Sequence, residues 1–152
     1  MGNGSQKYSA VATAQWYVEG LRTYGREGFM RNSATFGADD LSVDMRGQVV
    51  CVTGANKGIG YSVSRALAQN NATVHMLCRD QSRGQEAVRR VTRETGNKDV
   101  HLHVVDVSDF SQVEEFTVAF VRDNPRLHVL VNNAGGMPAE RTMTPQGNEG
   151  IM

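Results

Sequence analysis

The 152-residue chain carries 16 basic and 16 acidic side chains and is 39% hydrophobic. That length suits one core of ordinary size, and the cancelled charge excludes a general electrostatic role on nucleic acid or a membrane surface while leaving room for a local basic site. No run of 18 apolar residues and no secretory apolar region occurs, so neither a spanning helix nor an export signal is expected, and the reading places the protein inside the cell, in the cytoplasm.

In chain order, Met1-Gly2-Asn3-Gly4-Ser5-Gln6 approaches an N-myristoylation signal but puts Gln6 where that motif wants Ser or Thr, so acylation is not assigned. Tyr8 to Met30 carries Val11, Val18, Leu21 and Tyr24 at helical intervals, with Trp16 and Tyr17 beside them and Arg22, Arg26 and Glu27 at polar positions. Gly20, Gly25 and Gly28 weaken it as one continuous helix. Two uses stay open for it: packing against its own domain, or peripheral contact with a membrane or a partner. Asn32 to Asp44 has little periodicity and reads as a linker. The expected organisation is a helical extension and linker over 1–45 and a second domain over 46–152.

From Gln48 the pattern alternates between strand and helix. Strands are expected at Val49–Thr53, Thr73–Cys78, Val100–Val107 and Val129–Asn132, and helices at Ile59–Asn70, Ser82–Glu94 and Ser111–Arg122, the last ended by Pro125. Arg83, Arg89, Arg90 and Arg93 alternate with Glu86 and Glu94, a solvated helix face and not a nucleic-acid surface. Cys51 and Cys78 fall inside apolar strands and read as buried, reduced thiols. Strands alternating with long helices imply right-handed crossovers and a doubly wound α/β parallel sheet of the Rossmann type, order 3-2-1-4, with strand four at an edge.

The chemistry concentrates where such a sheet binds ligands, at the carboxyl ends of its strands. Thr53-Gly54-Ala55-Asn56-Lys57-Gly58-Ile59-Gly60 turns from strand one into a helix, whose backbone N–H groups and positive dipole end would hold a pyrophosphate. Gly54 would allow the turn, Gly58 the approach of the phosphates, and Gly60 the close lie of the helix. By itself this spacing also fits a glycine-rich loop without a ligand. Cys78-Arg79-Asp80 ends strand two, Asp106 strand three, and Asn132-Asn133-Ala134-Gly135 strand four.

In order and spacing, the glycine motif, Asp106-Val107 and Asn132-Asn133-Ala134-Gly135 resemble the short-chain dehydrogenase/reductase family over residues 46–147. Gly20-Leu21-Arg22 with Tyr24, and Val74-His75 with Cys78-Arg79-Asp80-Gln81, resemble one branch within it, that of dehydrogenase/reductase family member twelve. The resemblance implies that Gly54, Gly58 and Gly60, with the backbone at Asn56 and Ile59, hold the pyrophosphate. Asp106 would hydrogen-bond the adenine edge and Val107 cover its ring. Asn132 would brace neighbouring strands, while Asn133, Ala134 and Gly135 would line the ribose and nicotinamide side. Read without the family, Asp106 merely ends a strand and the asparagines make a turn.

The resemblance implies that Cys78 takes the slot where an acidic residue would select NAD, and Arg79 with Lys57 offers two cations to the extra phosphate of NADP. Asp80, about twenty residues past the glycine motif, also stands where an NAD-selecting carboxylate belongs, but it is read as the cap of the next helix, and NADP is expected ahead of NAD. The family's catalytic Ser, Tyr, Lys and Asn would follow strand four. No tyrosine follows Tyr61 and no Tyr-x-x-x-Lys pair is present, so no catalytic residue is assigned, and an inactive, truncated enzyme half is expected. The alternative is a noncatalytic nucleotide-binding or structural subunit. No metal site is expected: His101 and His103 share a strand face, but with His75 and His128 they read as ordinary strand histidines. Met137 and Met143 read as loop or packing residues. The partners expected are the small-molecule cofactor, no nucleic acid, contact through residues 8–30, and self-association through the open sheet edge.

Overall fold

The computed structural model describes residues 9–37, 39, 41–136, 139–144 and 146–150. Met137 and the amino-terminal motif ending at Gln6 lie outside them. The chain divides into two compact units, Met1–Ser42 and Val43–Met152.

In the first unit, helix α1 (Ala10–Tyr24) starts at Ser9, whose hydroxyl accepts the Ala12 N–H at 3.1 Å. The single segment expected through Met30 is broken at Gly25, where extended backbone separates α1 from α2 (Arg26–Ser33). Helix α2 therefore runs past Met30 into what reads as linker. Gly28 fits there because a side chain would strike the Thr23 carbonyl. Trp16, Tyr17, Leu21, Tyr24 and Phe29 are all exposed.

The second unit alternates β1 (Val49–Thr53), α3 (Gly58–Gln69), β2 (Thr73–Cys78), α4 (Gln81–Thr95), β3 (Val100–Val104), α5 (Phe110–Asp123) and β4 (Val129–Val131). All strand pairs are parallel, in the order β3-β2-β1-β4, as expected. One face of the sheet, Val50, Val52, Val74, Met76, Cys78 and Val100, packs with Ala68, Ala87 and Val91 from α3 and α4. Burial on both faces explains why β1 is apolar up to Thr53 and β2 is apolar apart from Thr73 and His75. The opposite face brings Cys51 and Leu77 against Phe120 and Phe116 of α5.

Strand β3 ends three residues earlier than expected. The Val105 N–H still reaches Cys78 O at 3.0 Å, but Asp106 then turns, its carboxylate accepting the Ser108 N–H at 3.0 Å and hydroxyl at 2.7 Å. An Asp that binds its own backbone two residues on favours a turn over a strand. Asp80 caps α4, accepting the Arg83 N–H at 2.9 Å, as its position implies.

Candidate nucleotide-binding cleft

A cleft of about 920 Å³ opens at the carboxyl ends of the strands and is lined by Gly54, Asn56, Lys57, Gly58 and Ile59 after β1, Cys78 at the end of β2 and Arg79 after it, Val105 to Ser108 after β3, Asn133 to Gly136 after β4, and residues between 142 and 150. Of the expected cofactor residues only Gly60 is absent from this lining. Gly60 is instead buried behind it. A Cβ there would come within 2.5 Å of both the Gly54 carbonyl and the Asn133 amide, so its role is to let α3 close on the loop that carries Gly54.

Gly54 has φ +64°, a left-handed turn that a side chain would strain, and a Cβ would press on Ala134. Gly58, at φ +55°, is different: its missing side chain would enter open space in the cleft. Lys57, the residue preceding α3, supplies no side-chain acceptor to the first turn, whereas Asp80 and Asp109 do so for α4 and α5. Among the described residues, the amino end of α3 thus has no side-chain cap on its donors beside the cleft, the arrangement that binds phosphate.

The asparagine pair is the correction. Asn132 is exposed, and it is Asn133 that braces the strands: its side-chain amide donates to Thr53 O at 3.0 Å and Gly54 O at 3.3 Å. Sequence reasoning also passed over Thr53. Its hydroxyl accepts the N–H groups of Asn133 at 3.0 Å and Ala134 at 2.9 Å and donates to Val131 O at 3.3 Å. Thr53 and Asn133 together clasp the ends of β1 and β4. The signal for it was a hydroxyl at the last position of an otherwise apolar strand.

Arg79 and Lys57 are exposed at the cleft, and among the described residues neither forms an ion pair. The bonds from Ser108 hold the Asp106 carboxyl below the ordinary aspartate range, and the Arg79 charge adds to this. Asp106 is therefore an anionic acceptor. Cys78 is buried, and burial pushes its thiol up, so the slot before Arg79 is neutral.

The histidines lie elsewhere. His75, His101 and His103 meet on the α5 face of the sheet, with His75 Nδ1 2.8 Å from His103 Nε2, and His128 Nδ1 accepts the Val49 N–H at 2.9 Å. Among the described residues no group of three His, Cys, Asp or Glu is arranged to hold a metal.

The family model for short chain dehydrogenases matches residues 48–149, which include all of the cleft lining except Gly150. The chain belongs to the short-chain dehydrogenase/reductase family. Within that family it is 40% identical over 141 residues to dehydrogenase/reductase SDR family member 12 of Homo sapiens, a match covering 93% of this chain and 44% of the relative. It is 37% identical over 120 residues to human retinol dehydrogenase 11, covering 79% and 38%. The chain thus spans less than half the length of these curated relatives. Among solved structures, a metagenomic short-chain oxidoreductase in complex with NADP superposes with a TM-score of 0.57 at 33% identity, over 68% of this chain and 47% of that one. Menthone neomenthol reductase from Mentha piperita gives 0.55 at 37%, over 59% and 32%. No described helix is long and apolar enough to cross a membrane.

Proposed function

We propose that the cleft binds NADP in preference to NAD, and that the chain is the cofactor-binding half of an oxidoreductase acting on a carbonyl or alcohol. The observation that carries this is Arg79 at the carboxyl end of β2, exposed beside the glycine cradle, preceded by a buried neutral thiol. A guanidinium fork and the Lys57 ammonium suit a phosphate ester, and no carboxylate stands in that slot to favour bare ribose hydroxyls.

Residue by residue, the α3 amino end with Gly54, Gly58 and Ile59 would hold the pyrophosphate, Asp106 and Val107 the adenine, and Asn133 to Gly135 the ribose and nicotinamide side. The bound nicotinamide would supply hydride. The protein's part is to fix the dinucleotide's orientation and exclude water from it. That an NADP complex is known for a structural neighbour supports the reading.

A second reading is favoured by one observation: among the described residues, the cleft contains no tyrosine, and the Tyr61 hydroxyl donates to Glu94 at 3.1 Å instead. Without a group to stabilise a developing alkoxide, binding does not become turnover. Residues 1–152 would then act as a nucleotide-binding or structural subunit, with exposed α1 docking a partner.

Titration of NADP and NAD against the wild type and Arg79→Ala tests the main reading. The wild type should prefer NADP, and the substitution should shrink that preference by roughly 1 to 3 kcal/mol, the scale of a hydrogen bond to a charged group. Equal affinities in the wild type would sink it.

A further inference from the structure

We infer that Gln112 and Gln146 are positioning residues for the adenine end of the cleft, acting through a hydrogen-bonded chain that ends on the backbone of Asp106. The inference rests on the dinucleotide reading above. Gln146 Nε2 donates to Asp109 Oδ1 at 2.7 Å, Gln112 Nε2 donates to Asp109 Oδ2 at 3.0 Å, and Gln112 Oε1 accepts the Asp106 N–H at 3.0 Å. Donors and acceptors match in only one orientation. A carboxylate only accepts and a backbone N–H only donates, so the Gln112 amide is fixed at both ends.

The chain joins two walls of the same cleft. Asp109 is the cap of α5, its Oδ1 also accepting the Ser111 N–H at 3.1 Å. Both glutamines lower the Asp109 carboxyl from its ordinary range. At the far end, Gln146 sits in a hairpin closed by the Thr144 N–H to Asn148 O and Gly150 N–H to Thr142 O bonds, each 2.8 Å, and Thr142, Met143, Thr144 and Gly150 line the cleft. At the near end, Ser108 takes Asp106 Oδ1, and no described residue engages Oδ2. A held backbone with one free anionic acceptor suits the amino group of adenine, and the amide chain sets where that acceptor stands.

Both glutamines are on the surface, so substitution leaves the core untouched. The test uses the full chain as wild type, Gln112→Leu and Gln146→Leu, each titrated with NADP and with its hypoxanthine analogue, in which an oxo group replaces the 6-amino group, alongside thermal midpoints. The wild type should prefer NADP over the analogue. In each variant NADP should bind about three- to ten-fold more weakly, the scale of one hydrogen bond, while the analogue changes by less than about two-fold. A purely structural role would weaken both ligands alike, and that result overturns the proposal. So does an undiminished preference in both variants, or a wild type that binds NADP without distinguishing the analogue. A wild type that binds neither ligand removes the dinucleotide reading itself.

Discussion

Thr53 carries more of the cleft than its size suggests, because one hydroxyl accepts two backbone N–H groups while the neighbouring Asn133 amide returns two donors to the β1 end. Replacing it with valine keeps the shape but strips the Ala134 N–H of its acceptor among the described residues, while the Asn133 N–H keeps Val131 O at 3.0 Å. Thr53→Val should destabilise the chain by about 1 to 3 kcal/mol in urea unfolding and weaken nucleotide binding, with Thr53→Ser close to wild type. An unchanged urea midpoint for the valine variant would contradict the clasp. Gly60→Ala tests the contact behind it. Alanine gains about 1 kcal/mol in a helix interior, yet its Cβ would lie 2.5 Å from a backbone carbonyl, so overpacking of about 1 to 3 kcal/mol should prevail and the variant melt lower. These two residues show what sequence conveys at this scale. The glycines were legible because their spacing is itself the mechanism. Of two adjacent asparagines, which one turns inward depends on where β4 leaves the sheet, and no residue type records that.

At the scale of elements, the β2–β3–α5 layer should be acid-sensitive. His75 is 6% exposed, its Nε2 has no partner among the described residues, and its Nδ1 faces His103. His101 stacks on it from β3, Phe120 covers it from α5, and Cys51 and Leu77 complete that face. Burial above all, then the neighbouring histidines, depresses His75 to about 4 from 6.5. Burial likewise lowers His103. The folded state thus binds fewer protons than the unfolded chain between these values. Stability is therefore full above about pH 6.5, falls as pH drops through the window, and levels off below about 4, with a loss on the order of 3 kcal/mol from His75. Thermal midpoints from pH 7 to 4 measure this, and His75→Leu should flatten the profile. A wild-type profile already flat there would refute it. Alternation placed His101 and His103 on one face of β3 from sequence, but the pairing of His75 with His101 is a matter of register between strands and was invisible. Helix positions and strand order were legible because apolar periodicity, Asp caps and crossover handedness all agree; the early end of β3 was not, because Val105 and Val107 continue an apolar run while the Asp106 turn interrupts it.

At the scale of the whole molecule, one surface is under-covered. β4 pairs only with β1 among the described residues, Leu130 is 52% exposed, and Val118 and Val121 of α5 are 69% and 64% exposed. An open edge beside apolar side chains favours association with another copy. Sedimentation velocity should show the mean mass rising with concentration, and a monomer throughout the micromolar range would contradict this. The central claim is that the carboxyl ends of the four strands form one dinucleotide site. Hydrogen exchange followed by mass spectrometry, with and without saturating NADP, tests it most directly and works at dilution. NADP should protect the segments 53–60, 104–109 and 132–136 and leave α1 and α2 unchanged, because only the former line the cleft. Unaltered exchange in those three segments, or protection confined to α1 and α2, would contradict the account.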